Sequence, residues 1–235
     1  MGISRGGARL LLEEARQWPF HGSILQLGRQ HLFFDKEEYT RLAALHSIVL
    51  STAVGGNVRR PLLSDAYIDD GSFFAGLGFS QVESMDFSND ESPTYVHDLN
   101  SPIPDNLVSK FDTVYDGGTI EHVFDVRSVF KNIFDMLKVG GRIIHSSPSS
   151  NHVDHGFYMF SPTLFFDYYV CNKYKIHEIQ LIQYSANHND EPWSIYDYDP
   201  GCLDALSFGG FDRGKLLAIY VSAEKTAGLN LGPYS

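Results

Sequence analysis

The segment FDTVYDGGTIEHVFDVRSVFKNIFDMLKVGGRIIHSSP, ending at Pro148, constrains the fold of this chain more than any other. A short apolar run over Phe111–Tyr115 ends in Asp116-Gly117-Gly118, and a loop carrying Glu121-His122 follows. Val126, Val129, Phe130, Ile133, Phe134 and Leu137 then recur at helical spacing, which predicts an amphipathic helix. Gly140-Gly141 read as its stop, and a second apolar run over Arg142–His145 ends in Ser-Ser-Pro. Strand, helix, glycine stop and strand is the sequence form of a βαβ unit. Polar residues gather after each strand, at the carboxyl ends where open α/β sheets place their ligands.

The flanking segments extend the same alternation. Ala8–Trp18 predicts a short amphipathic helix, and Ser23–Leu27 a buried strand running into Gly28-Arg29-Gln30. Lys36–Thr52 predicts a helix, Ala53–Asp70 a long turn-rich connection and Gly71–Leu77 a short helix. Gln81–Met85 is a second strand ending at Asp86, and Thr94–Val96 a third ending in His97-Asp98-Leu99-Asn100. Ser161-Pro162 opens another helix, with Ser as N-cap and Pro in the first turn. Tyr174–Tyr184 and Leu216–Val221 are expected to form a terminal antiparallel pair. The segment between them, 185–214, is rich in Asn, Asp, Gly and aromatics and reads as a lid or substrate loop. Taken together, the 235 residues are expected to form one Rossmann-like α/β domain with an insertion at about 35–75. Its sheet would be doubly wound, of about seven mostly parallel strands, with helices on both faces and an antiparallel last strand.

Charge narrows the partners. Eighteen Lys+Arg stand against 29 Asp+Glu, a net charge of −11, and no basic cluster extends beyond Arg59-Arg60. A nucleic-acid binder needs a basic footprint to neutralise phosphates, so nucleic acid is not an expected partner. A neutral or cationic small molecule fits better. No apolar run approaches the ~20 residues of a membrane-spanning helix. Glutamates interrupt the apolar start, which argues against a signal peptide and makes a cytoplasmic protein the expectation. Two cysteines, Cys171 and Cys202, make neither a disulfide framework nor a zinc set. A homodimer is left open.

In this order and spacing the chain resembles the class I S-adenosylmethionine-dependent methyltransferases over roughly 23–224. The fourth-strand region with its Glu-His pair, the glycine turn MLKVGG and the fifth strand RIIHSSP carry the resemblance. ILQLGRQ sits at the glycine-rich first motif, VESMDFS at the acidic second and VHDLN at the third, adenine-side motif. The resemblance implies S-adenosylmethionine as cofactor, with Gly28, Asp86, Asp98, Leu99 and Asp116 on the cofactor side. Arg29 and Gln30 stand where the family has further glycines, and Asp86 arrives later than the ~20 residues usual after the turn. Asp86 is equally able to open a turn with Ser88, and Asp98 to cap its own.

Methyl transfer to oxygen requires removal of the acceptor's proton by His or a carboxylate within hydrogen-bond reach. The candidates beyond the fourth and fifth strands are His122, His145, His152, Asp154 and His155, with His152 and His155 favoured for base or substrate contacts and His145 read more readily as a packed residue with one hydrogen bond. The expected reaction is O-methylation of a small molecule, a sugar or related metabolite. Asp116-Gly-Gly-Thr lacks the Asn/Asp-Pro-Pro-Tyr signature of N-methylation. Two alternatives stand beside it. One is a non-catalytic binding or scaffold protein, suggested by the reduced glycine motif. The other is a metal-dependent hydrolase using His152, Asp154 and His155, although no metal is assigned in the main reading.

Overall fold

The computed structural model describes residues 2–51, 61, 64–185, 187, 193–208 and 210–226. Ten strands and five helices follow one another along them: β1 (Gly2–Ile3), α1 (Arg5–Gln17), β2 (Ser23–Leu27), β3 (His31–Leu32), α2 (Lys36–Leu45), α3 (Asp70–Gly76), β4 (Gln81–Asp86), β5 (Tyr95–Val96), β6 (Phe111–Asp116), α4 (Val126–Met136), β7 (Leu137–Pro148), α5 (Pro162–Cys171), β8 (Lys175–Ser185), β9 (Ser194–Asp197) and β10 (Lys215–Glu224). β1 and β3 make a small parallel pair. The other eight strands form one sheet in the order β5-β4-β2-β6-β7-β10-β8-β9. Its strands from β5 to β7 are parallel, while β10 runs antiparallel to β7 and β8.

Alternation along the strands explains the two covered faces. Leu25 and Leu27 of β2, Ile143 of β7 and Val221 of β10 pack with Val129, Phe130 and Ile133 of α4 and Phe165 and Tyr169 of α5. Their neighbours Ile24, Ile144 and Tyr220 turn the other way, against Leu11 and Leu12 of α1, Tyr39 and Leu42 of α2, and Phe73 and Phe74 of α3. Strands buried on both faces read as continuous apolar runs, and SILQL is buried at every position. α1 is fixed to its face by a charge. The buried Glu14 carboxylate accepts from Arg142 Nη1 at 2.7 Å and Ser222 Oγ at 2.6 Å.

Three expected elements take a different form. α2 stops at Leu45 rather than continuing to Thr52, because Ser47 adopts a left-handed conformation (φ 57°) and ends the helix. Gly140-Gly141 lie inside β7 and are not a helix stop: Leu137 pairs with Phe111 and Arg142 with Thr113, so Lys138–Gly141 bulge out of the ladder. Gly140 has φ +80°, and a Cβ on Gly141 would sit 2.8 Å from the Lys138 carbonyl. The segment read as a lid supplies an eighth strand, β9, on the outer edge of β8. Much of the connection expected over 53–70, and residues 186, 188–192 and 209 of the lid segment, lie outside the described residues.

Glu178 of β8 shows what burying charge on this sheet costs. Burial first, then the nearby Glu14, push its carboxyl up to about 7. A carboxyl that holds its proton more tightly when folded makes stability fall as pH rises from the unfolded value, about 4.3, through the folded one. We expect unfolding stability to decline between about pH 4.5 and 7, and Glu178→Gln to flatten that decline in denaturant titrations across the window.

Candidate active site

The candidate site lies at the carboxyl tips of β2, β4, β6 and β7. Leu27 is in register with Met85 on one side and Asp116 on the other, and Asp116 with His145. From β2 the chain leads to β4 and β5 on one side, then returns to β6 on the other. That reversal is the topological switch point where open α/β sheets bind ligands.

The turn after β2 is built from three consecutive residues with separate tasks. Gly28 takes φ +72° and donates its N–H to the Met85 carbonyl at 2.7 Å. Arg29 turns under the turn, where its buried guanidinium meets the buried Asp70 of α3: Nη2 to Oδ1 at 2.7 Å and Nε to Oδ2 at 3.1 Å. Gln26 Nε2 also donates to that carboxylate, at 3.2 Å. Gln30 donates through Nε2 to the Gly28 carbonyl, and its buried Oε1 has no partner among the described residues. That oxygen lies 2.4 Å from where a Cβ on Gly117 would stand, so glycine is what keeps the tip of β6 open to it. A side-chain latch thus stands where the resemblance led us to expect further glycines.

The other cofactor-side candidates divide. Asp86 ends β4 beside the turn; its Oδ1 accepts the Ser88 N–H at 3.0 Å, the turn-opening role. Asp116 is fully buried and meets four donors: Thr119 N and Ile120 N on Oδ1, His145 Nδ1 (2.7 Å) and Ser147 Oγ on Oδ2. His145 Nε2 lies 2.6 Å from the buried Tyr169 hydroxyl. Burial raises the pKa of that phenol well above its ordinary value. Asp98 is half-buried and closes its own turn, accepting from Asn100 N and Nδ2. Leu99 packs in the core, and its carbonyl accepts from Asn132.

The acceptor-side candidates converge on a residue that sequence reasoning passed over. Glu121, in the short helical turn Ile120–His122, is fully buried. Its backbone carbonyl accepts from Phe157 N at 2.7 Å and Tyr158 N at 3.2 Å, which folds the 152–158 segment back over it. Glu121 Oε1 then lies 3.3 Å from His155 Nε2 and 3.8 Å from His122 Nε2. Oε2 is buried without a partner among the described residues. Burial, then the charge of Asp116, push the Glu121 carboxyl up to about 8, while burial lowers His122 and His152. His152 meets the His155 ring edge to face at 5.5 Å, but spends Nε2 on the Tyr184 hydroxyl at 3.2 Å. Asp154 is exposed in a left-handed turn (φ 66°) and joins none of these contacts. The exposed rings of Phe124 and Phe157 meet edge to face at 6.0 Å beside the cluster. The adjacent Glu-His pair was the available signal for Glu121; its burial was not readable from sequence.

No family model and no curated protein matches this chain. Solved structures do. The YcgJ protein from Bacillus subtilis matches at 10% identity over 94% of this chain and 99% of its own, with a TM-score of 0.50. The fold is the class I methyltransferase fold. Weaker matches have printed activities. A Burkholderia thailandensis 1,6-didemethyltoxoflavin-N1-methyltransferase with bound 1,6-didemethyltoxoflavin and S-adenosylhomocysteine matches at 11% identity, over 95% of this chain and 78% of that one, with a TM-score of 0.46. A phosphoethanolamine N-methyltransferase 2 from Haemonchus contortus matches at 13%, over 96% and 54%, with a TM-score of 0.48. This methyltransferase-type sheet carries one strand more than the seven expected, β9. Among the described residues no helix is long and apolar enough to cross a membrane.

Proposed function

We propose that the protein is an S-adenosylmethionine-dependent methyltransferase that methylates a hydroxyl of a small molecule, a sugar or related metabolite. The observation carrying this reading is the switch point at the strand tips, with Gln30 Oε1, unpaired among the described residues, on one side and a histidine pair over the buried Glu121 carboxyl on the other. The cofactor's cationic and diol groups suit that first side: Gln30 Oε1 beside Gly117, and the Asp86 carboxylate at the tip of β4. Gly28 and Asp86 would hold its nucleoside, with Asp98 and Leu99 toward the adenine, and Asp116 would keep the tips of β6 and β7 in place. When bound, the cofactor supplies a sulfonium methyl group.

The remaining work falls to this chain's own side chains. His155 lies within reach of a hydroxyl placed over Glu121 and takes its proton at an imidazole nitrogen; His122 and His152 flank it, and Asp154 shapes the turn between them. The exposed Phe124 and Phe157 rings offer an apolar face against which a flat or cyclic acceptor packs. Alignment of acceptor and methyl is then mainly proximity catalysis.

Asp86→Ala should weaken S-adenosylmethionine binding by about 1–3 kcal/mol, the worth of hydrogen bonds to a charged group. Calorimetry measures this, and an unchanged Kd would take Asp86 out of the site. A second reading has its own observation: Arg29 and Gln30 fill the turn that glycines leave open in the family. If S-adenosylmethionine produces neither heat nor a thermal shift with the wild-type chain, the protein is a binding scaffold on this fold.

A further inference from the structure

We propose that Glu121, His122 and His155 form a binding site for one divalent transition-metal ion of zinc-like chemistry. The inference deepens the acceptor side of the reading above, but its own geometry carries it. One ligand atom from each residue lies within 4.8 Å of the others. Two ligands sharing a tetrahedral ion at bond lengths of ~2.0–2.1 Å sit about 3.3–3.5 Å apart. His155 Nε2 and Glu121 Oε1 are 3.3 Å apart, and His122 Nε2 and Glu121 Oε1 are 3.8 Å apart. Two imidazoles and one carboxylate with an open position toward solvent is the donor set of catalytic zinc sites.

A second observation points to the same ligand. Glu121 is fully buried, and its Oε2 has no hydrogen-bond partner among the described residues. A buried carboxylate oxygen left without a donor is costly, and a cation held by the same carboxylate removes that cost. The histidines remain 44% and 42% exposed, so an ion and its water can reach them. The backbone bonds from Phe157 and Tyr158 to the Glu121 carbonyl hold the two halves of the site together before any ion arrives. The triplet suggested by the sequence, His152, Asp154 and His155, contributes His155 alone. With its Nε2 on the ion His155 no longer serves as the base: the ion would polarise a coordinated acceptor hydroxyl, whose proton then passes to water.

The test uses the metal-stripped full chain, without nucleotide. Titration with zinc against a chromophoric chelator should show one ion per chain, and Co2+ should give the intense visible bands of a four- or five-coordinate site. Glu121→Gln and, separately, His155→Ala should lower zinc affinity at least tenfold and erase the Co2+ bands, while Asp154→Asn should keep both. His155 and His122 are surface residues, so His155→Ala or His122→Ala reports on the site even if Glu121→Gln does not fold. No zinc uptake, or uptake that survives the His155 and His122 substitutions, overturns the proposal. Calorimetry of the same metal-free protein with S-adenosylmethionine scores the methyltransferase reading separately.

Discussion

Replacing His155 with alanine should lower turnover by about 10²–10⁴-fold, the usual contribution of a positioned general acid–base group, while S-adenosylmethionine binding stays within twofold of wild type. The imidazole belongs to the acceptor side, 3.3 Å from Glu121, and touches no residue of the turn after β2. Steady-state kinetics with an accepted hydroxyl substrate, paired with calorimetry for the cofactor, separate the two effects. Whether His155 takes the proton itself or holds an ion that acidifies the hydroxyl, its loss strikes the chemical step. Full activity in the variant would remove the histidine from either role. A parallel loss of cofactor affinity would mean that the 152–158 segment shapes the whole site.

Asp116→Ala carries the largest expected effect on stability, about 3–5 kcal/mol of unfolding free energy. Four donors converge on its carboxylate in a fully buried position: two backbone N–H groups, the His145 ring and the Ser147 hydroxyl. Removing the acceptor leaves each of them without a partner, at about 1–3 kcal/mol per orphaned group before relaxation. The damage reaches further, because His145 is oriented by Asp116 and in turn hydrogen-bonds to the Tyr169 hydroxyl of α5. One carboxylate therefore joins β6, β7 and α5. Urea unfolding followed by circular dichroism measures the effect, and a shift below about 1 kcal/mol would show that the tips are held mainly by their apolar packing.

Much of this was legible in the chain. SILQL and the run over Phe111–Tyr115 are apolar on both faces because both faces are covered, and a continuous run announces that directly. Ser161-Pro162 marked the start of α5 to the residue, since cap chemistry is local. What stayed hidden was whatever depends on pairing across distance. Arg29 stood out as a missing glycine, but Asp70, 41 positions away, is what makes a buried arginine tolerable there. His155 was visible as a candidate base, whereas its meeting with Glu121 required the chain to fold back 34 positions. Gly140-Gly141 misled for the opposite reason. A glycine pair after an amphipathic run is a common helix stop, and only the ladder between β6 and β7 shows that it relieves a bulge instead. Asp98 illustrates a third limit: an acidic residue past a strand looks the same whether it waits for a ligand or ties its own loop.

The outermost strands of the large sheet, β5 and β9, are two and four residues long. Each offers so few free peptide groups that another molecule gains little by zippering onto the end of the sheet. If this chain self-associates, the contact therefore has to come from helical or loop surfaces, and runaway strand-to-strand stacking, the common hazard of open sheets, is blunted at both ends.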